Sequence, residues 1–134
     1  MKKLIINTDG GSRGNPGAAA IGVIIRDESE HIIFEHGSYI GLQTNNFAEY
    51  SALIKALETA RDMGATDLLV RMDSELIVKQ MQGLYKIKVP TLQELAQRVI
   101  ALKGAFSNVV FTHVRREFNK EADAQVNKAL DAQI

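Results

Sequence analysis

A change of hydrophobic period near residue 44 is the feature that most constrains the fold. Before it, apolar residues form three short runs separated by polar or glycine-rich turns, at residues 4–9, 20–26 and 31–41. After it, from residue 47 to 63, apolar residues recur every three or four positions, as on one face of a helix. Three strands joined by short turns favour an antiparallel meander, against which the helix that follows can pack.

The remainder of the chain alternates between the two periods. Strand-type runs at residues 68–72 and 109–114 alternate with helical segments at residues 74–82, 90–103 and 120–132. Asn45 and Asn46 are predicted to cap the first helix, and Asn119 the last. The order predicts an α/β fold with a five-stranded mixed sheet and helices on both faces: an antiparallel meander plus two strands parallel to the first. We expect residues 1–134 to form a single domain.

Composition excludes several classes of protein. The chain has no cysteine, which rules out disulfides and zinc–thiolate sites, and no apolar run approaches the ~18 residues of a membrane helix. Residues 1–7 do not form a signal peptide, so we expect a cytoplasmic protein with no membrane partner. Basic and acidic residues number 16 each, but residues 79–120 carry eight basic and two acidic side chains. This local surplus suits contact with a polyanion, and it equally suits a solvated helix face.

Four carboxylates occupy positions that can converge. Asp9 and Asp73 end strands that we expect to be parallel, and ligands bind at that edge of such sheets. Glu49 and Asp123 lie near helix starts, in line with the apolar stripe. Taken singly, each has a plainer interpretation: a turn residue at Asp9, a helix cap at Asp73, a capping box with Asn46 at Glu49, and an acid favoured by a helix N-terminus at Asp123.

Together, the four acids predict a metal site. Converging carboxylates cannot all ionise without cations, and oxygen ligands without cysteine or a histidine cluster favour Mg²⁺ or Mn²⁺ over zinc. Two such ions side by side are suited to the cleavage of a phosphodiester bond.

Four sequence blocks resemble type 1 ribonuclease H. They are TDGGSRGNPG at residues 8–17, TNNFAEY at 44–50, MDS at 72–74 and NKEAD at 119–123. They occur in the family's order, and the resemblance covers essentially the whole chain. It implies a ribonuclease H-like fold and an endoribonuclease that hydrolyses the RNA strand of RNA–DNA hybrids by two-metal-ion catalysis. The products implied are 5′-phosphate and 3′-hydroxyl ends.

The resemblance also implies the site residues. Asp9, Glu49, Asp73 and Asp123 match the catalytic metal ligands, which hold two Mg²⁺ ions with substrate, Mn²⁺ being a possible substitute. Asparagine amides can both donate to and accept from the 2′-hydroxyls that distinguish RNA. Thr44 and Ser74 resemble positions that hold a phosphate of the DNA strand. The full set of substrate-binding positions implied in these blocks is Gly10, Gly11, Ser12, Asn15, Thr44, Asn45, Asn46 and Ser74.

The chain departs from the long bacterial form of the family in three places, one of which is Glu75, where a glutamine that contacts substrate is common in the family. The basic protrusion is missing, so this is a short form, and we expect Tyr85, Lys86 and Lys88 to contact the nucleic-acid backbone in its place. His113 matches the family's mobile catalytic histidine by its distance from Asp123, but its local pattern is that of a strand. Arg115 or Arg116 is the alternative for contacting phosphate or releasing product.

Two other functions remain open at this point. One is a catalytically weak module that binds RNA–DNA hybrids or double-stranded RNA. The other is an exonuclease or integrase of the same fold, which the glycine-rich first block and the asparagine pair of the second disfavour. We expect a monomer whose partner is an RNA–DNA hybrid.

Overall fold

The computed structural model describes residues 1–133, which form five strands and four α-helices. The elements, in chain order, are β1 (Lys3–Arg13), β2 (Gly17–Arg26), β3 (Ile32–Gln43), α1 (Asn45–Asp62), β4 (Asp67–Met72), α2 (Glu75–Met81), α3 (Pro90–Lys103), β5 (Asn108–His113) and α4 (Lys120–Asp131). A short 3₁₀ turn at Arg116–Phe118 precedes α4. In this part of the chain, no helix combines the length and apolar character needed to cross a membrane.

The strands form one mixed sheet in the order β3-β2-β1-β4-β5. β1, β2 and β3 pair antiparallel, whereas β4 is parallel to β1 and β5 is parallel to β4. The predicted meander with two added parallel strands is therefore confirmed. The last parallel pair between β1 and β4 is Thr8 with Met72, so Asp9 and Asp73 both follow at the same edge.

Helices cover both faces of the sheet, as predicted. The larger core joins Leu4 and Ile6 of β1 with Leu53 of α1 and Val99 of α3. A smaller cluster on the opposite face joins Ala20 of β2 with residues of α4. Burial of these apolar side chains, at roughly 25 cal/mol per Å² removed from water, is the main force holding the helices on the sheet.

Two glycines allow α4 to lie directly on the backbone of the sheet. A Cβ atom at Gly22 of β2 would collide with the main-chain oxygen of Ala122, and one at Gly37 of β3 would lie 2.5 Å from that of Gln125. Neither position can therefore accept a side chain without moving α4. The start of α4, which carries Asp123, is thus placed by backbone contact.

The first strand is longer than its sequence pattern predicts. β1 continues through Arg13, and Gly10, Gly11 and Ser12 pair with β2 instead of forming the expected turn. The reason is packing, since a Cβ atom at Gly10 would collide with the main chain of Ala48 in α1. Glycine serves here for close approach of a helix rather than for turn formation.

The predicted helix caps are wrong at α1. At α4 the predicted residue stands at the cap position but does not cap the helix with its side chain. Thr44 caps α1, its Oγ1 accepting from the Phe47 N–H at 3.2 Å, whereas Asn45 and Asn46 are the first helical residues. Asn119 occupies the position before α4, but its side chain makes no capping hydrogen bond. The side chains of Asn45 and Asn119 instead hydrogen-bond to the backbone of β1.

Candidate active site

Three of the four predicted acids form a tight cluster. Asp9, Glu49 and Asp73 each place a carboxylate oxygen within 4.8 Å of the other two. Asp9 and Glu49 are only 8% and 5% exposed, and Asp73 is half-buried. The parallel pairing of β1 with β4 accounts for two of these positions, and Glu49, one turn into α1, supplies the third.

Glu49 reaches the cluster because α1 starts against β1. The Gly10 N–H donates to Glu49 Oε1. The second oxygen, Oε2, is buried and has no hydrogen-bond partner among residues 1–133. The capping-box interpretation of Glu49 is wrong, since Asn46 is not the helix cap.

The charges of the cluster oppose one another. Burial, then the negative charge of Asp73, raises the pKa of Asp9 to about 7. Burial, with Asp9 and Asp73 nearby, raises the pKa of Glu49 well above its usual range. Burial also raises the pKa of Asp73, although Asn119 and Arg116 beside it act in the opposite direction. Without a cation the cluster therefore retains protons near neutral pH.

The donor set fits a divalent cation. It consists of carboxylate oxygens, the ligands that hard divalent cations such as magnesium prefer. The unpartnered Oε2 of Glu49 is a buried acceptor that such an ion satisfies, and the ion's charge offsets the repulsion among the acids. The three carboxylates can therefore hold a divalent metal ion.

Asp123 lies beside this cluster rather than within it. It is in the first turn of α4, on the other face of the sheet, and is partly exposed. It is near enough for its charge to contribute to the raised pKa of Asp9. Its oxygens also face Arg116 Nη2 at 3.8 Å and Asn127 Nδ2 at 3.4 Å. The predicted convergence thus holds closely for three acids, while the fourth lines the same pocket.

Six of the eight predicted substrate-binding residues of the sequence blocks line that pocket, with the acids. They are Gly10, Gly11, Ser12, Asn45, Asn46 and Ser74. Asn15 and Thr44 are not in its wall. Asn15 Oδ1 accepts from the Asn45 N–H at 3.1 Å, and Asn45 Oδ1 in turn accepts from the Ser12 N–H at 2.8 Å. The asparagines therefore join the β1–β2 hairpin to the start of α1.

The structure adds pocket residues that the sequence did not indicate. Arg13, Val126, Asn127 and Leu130 also line the pocket, the last three from α4. The apolar pair follows the helical period, but only the fold shows that it faces β1. Buried Asn7 was also missed; its one signal is a polar residue inside an otherwise apolar strand.

Tyr85, Lys86 and Lys88 lie outside the pocket, in the exposed segment 82–89 between α2 and α3. This segment is held in place from the helices. Gln80 of α2 and Gln93 of α3 donate to its carbonyls at Lys86 and Ile87, at 3.5 and 2.7 Å. The three side chains therefore project from an anchored loop, and their contact with substrate stays a prediction.

His113 is a strand residue, as its pattern predicted. It is the last residue of β5, pairs with Met72 of β4, and does not line the pocket. Arg116, in the 3₁₀ turn that follows, does line it. Arg115 instead stacks over the ring of Phe118, 5.7 Å from its centroid. Of the three auxiliary candidates, Arg116 is the one beside the acids.

Comparison with known proteins gives one consistent family. A family model described as "Reverse transcriptase-like" matches residues 7–129. Ribonuclease HI of Halobacterium salinarum is 46% identical over 123 residues, which cover 92% of this chain. The chain spans only 62% of the length of that relative.

Solved structures agree with the sequence comparison. RNase H1 from the halophilic archaeon Halobacterium salinarum NRC-1 superposes with a TM-score of 0.94 at 43% identity, over 97% of this chain and 98% of the other. LC11-RNase H1, solved in complex with an RNA/DNA hybrid, superposes with a TM-score of 0.93 at 50% identity, over 97% and 98% of the two chains.

Proposed function

The chain belongs to the type 1 ribonuclease H family, and from that premise we propose that it is an endoribonuclease that hydrolyses the RNA strand of RNA–DNA hybrids. Water adds to phosphorus and the bond to the 3′ oxygen breaks, which leaves 5′-phosphate and 3′-hydroxyl ends. The observation that carries the proposal is the cluster of Asp9, Glu49 and Asp73, in which three carboxylate oxygens lie within 4.8 Å of one another.

In this proposal the acids hold two Mg²⁺ ions when substrate is bound, and Mn²⁺ can replace them. Asp9, Glu49 and Asp73 provide the central ligands, and Asp123 contributes from the rim of the pocket. The ions supply activation of water and stabilisation of charge on the departing oxygen. The residues around them keep the carboxylates at a fixed separation, because Glu49 is tied to the Gly10 N–H and both flanking strands are paired in the sheet.

Recognition of RNA is assigned to the pocket wall formed by β1 and the start of α1. Gly10 and Gly11 both line this wall; the missing side chain of Gly10 makes room for α1, whereas Gly11 leaves backbone to which a sugar can approach closely. Asn45 and Asn46 carry amides that can pair with 2′-hydroxyls, and Asn15 supports Asn45 from outside the wall. Thr44 and Ser74 cap the helices α1 and α2 at this edge, and we assign their hydroxyls to a DNA-strand phosphate.

The cellular setting is part of the same proposal. We propose a cytoplasmic protein because the sequence contains no cysteine. We also propose that residues 1–134 act as one ribonuclease H domain and as a monomer. Light scattering coupled to size exclusion, with and without hybrid, measures the oligomeric state directly.

The deciding experiment is cleavage of one labelled RNA–DNA hybrid, with single-stranded RNA, an RNA–RNA duplex and a DNA duplex as controls. Each is incubated with Mg²⁺, with Mn²⁺ and with a chelator. We expect cleavage of the hybrid's RNA strand that either metal supports and the chelator abolishes. Binding of the hybrid without cleavage under either metal would instead favour a binding module of the same fold.

Arg116, rather than His113, is predicted to assist the reaction. Its guanidinium lines the pocket and faces Asp123, so it can contact a substrate or product phosphate. We expect Arg116→Ala to lower kcat/KM by about 10-fold or more, as the loss of a charge-assisted hydrogen bond implies. His113→Ala should change it by less than about 3-fold. Steady-state kinetics on the hybrid compares the two variants, and the reverse order would restore the histidine assignment.

The exposed segment 82–89, which carries Lys86 and Lys88, is predicted to contribute to substrate binding and not to the chemical step. Replacing Lys86 and Lys88 together by alanine should raise KM about 5-fold or more at moderate salt and leave kcat nearly unchanged. The dependence of log KM on log salt should become shallower by a slope of about 1 to 2, one unit for each lost phosphate contact. Lys128→Ala, an exposed charge on α4, serves as the control for net charge. An unchanged salt slope in the double variant would remove this loop from the substrate interface.

A further inference from the structure

A buried amide fastens α4 to the strand that carries Asp9. Asn119 Nδ2 donates to the backbone oxygen of Thr8 at 2.9 Å, and Asn7 Nδ2 donates to Asn119 Oδ1 at 2.9 Å. Asn119 is 1% exposed and Asn7 is 3% exposed. The start of the helix is therefore joined to the middle of β1 by two hydrogen bonds shielded from water.

The bonded stretch of β1 lies at the base of the carboxylate cluster. Thr8 precedes Asp9 and pairs with Met72, which in turn precedes Asp73. A bond to the oxygen of Thr8 thus acts on backbone adjacent to two of the acids.

Asn119 also contacts the segments that carry the other two acids, Asp123 and Asp73. Its own carbonyl accepts from the Asp123 N–H at 3.1 Å, in the first turn of α4. Its amide lies beside Asp73, where it opposes the effect of burial on the pKa of that carboxyl. A single side chain therefore stands between the segments that hold Asp9, Asp73 and Asp123.

Asn7 is held from its far side by an arginine. Arg26 Nη1 donates to Asn7 Oδ1 at 3.1 Å, and Arg26 Nη2 lies 3.4 Å from Glu121 Oε2 on α4. The guanidinium side chain of Arg26 is only 14% exposed. The helix start is thus attached to the sheet at two points, Asn119 and Glu121, with Asn7 and Arg26 between them.

We propose that Asn119 is a positioning residue that sets the separation between Asp123 and the Asp9–Asp73 pair for metal binding, and that Asn7 acts through it. The inference rests on the proposed function, because a divalent ion must be required there. Mutation of residues that hydrogen-bond to metal ligands typically lowers metal affinity or activity by about 10- to 100-fold. A purely structural amide would affect stability alone.

Asn119→Ala tests the proposal. We expect kcat to fall about 10- to 100-fold with KM within about 3-fold of wild type. Calorimetric titration without substrate should show the Mn²⁺ dissociation constant rising about 10-fold. Val99→Ala is the control: this buried core residue of α3 is remote from the pocket, and its truncation lowers stability. It should leave both kcat and Mn²⁺ binding unchanged at a temperature at which the variant is folded.

Three outcomes overturn the proposal. One is unchanged kcat and Mn²⁺ affinity in folded Asn119→Ala, and another is a loss confined to KM. If that variant does not fold, Asn7→Asp decides, because it keeps an acceptor for Arg26 but removes the donor to Asn119. We expect Asn7→Asp to bind Mn²⁺ more weakly and to have a lower kcat, and unchanged Mn²⁺ binding is the third contrary result. Wild-type protein that binds Mn²⁺ but cleaves no hybrid would count against the proposed function instead.

Discussion

Replacement of Asp73 by asparagine should reduce cleavage of the hybrid by at least ~10³-fold while the protein still binds its substrate. The change keeps the shape of the side chain but removes one negative charge from a cluster whose oxygens lie within 4.8 Å of one another. Charge stabilisation by a bound metal is worth several kcal/mol in such reactions, and each 1.4 kcal/mol is tenfold in rate. Single-turnover cleavage measures the loss.

Binding should survive because the nucleic-acid contacts that we propose are made by other residues. We expect the dissociation constant for the hybrid, from fluorescence anisotropy in chelator, to stay within about 3-fold of wild type. Removal of a negative charge reduces the repulsion of a polyanion, which favours tighter binding of the hybrid. The matched control is Asp67→Asn, which should retain activity. Asp67 is the first residue of β4, whereas Asp73 directly follows the last residue of that strand. Full cleavage by the Asp73 variant would exclude this carboxylate from the metal site.

Replacement of Asp9 by asparagine should stabilise the metal-free protein at neutral pH. The pKa of Asp9 is about 7 in the folded chain, against an ordinary value of 3.8. Between these values the unfolded chain has released the proton and the folded chain retains it, so folding loses stability as pH rises through that window. One pKa unit corresponds to about 1.4 kcal/mol. After discounting for relaxation around the site, we expect a gain of about 2 kcal/mol at pH 7.5.

The pH dependence distinguishes this effect from a general change in packing. The stability difference between Asp9→Asn and wild type should be small near pH 4, grow toward pH 7 and then level off. Divalent metal should reduce the difference at pH 7.5, because it stabilises only the wild-type cluster. Urea denaturation in chelator and in Mg²⁺, over this pH range, measures it. Asp62→Asn, a replacement of an exposed acid distant from the site, is the control variant. A difference for Asp9→Asn that does not change with pH would contradict the assignment.

The topology could be predicted from the sequence because each element carries a clear period and the connections leave few arrangements. The parallel pairing of β1 with β4 then follows, and with it the shared edge of Asp9 and Asp73. Glu49 was predicted from its phase on α1, where an acid in line with buried residues needs a partner. Local rules were thus sufficient for the three clustered acids.

What the sequence did not predict depends on partners far away along the chain. Asparagine is by preference the better cap, but Thr44 caps α1 while the side chain of Asn45 accepts a hydrogen bond from the distant Ser12 N–H. Gly10 has the signature of a turn, but it lies in a strand because α1 needs space there. The separation of Asp123 from the cluster depends on how α4 docks, which no local pattern encodes.

The order in which the acids occur along the chain determines when the proposed metal site can be completed during synthesis. By the time residue 73 has left the ribosome, every member of the Asp9–Glu49–Asp73 cluster has been made, whereas α4 is still to come. Until it arrives, the nascent chain lacks Asp123 and the Asn119 amide, and Gly22 and Gly37 stay uncovered. We therefore expect the proposed metal site to be complete only after α4 has docked on the sheet.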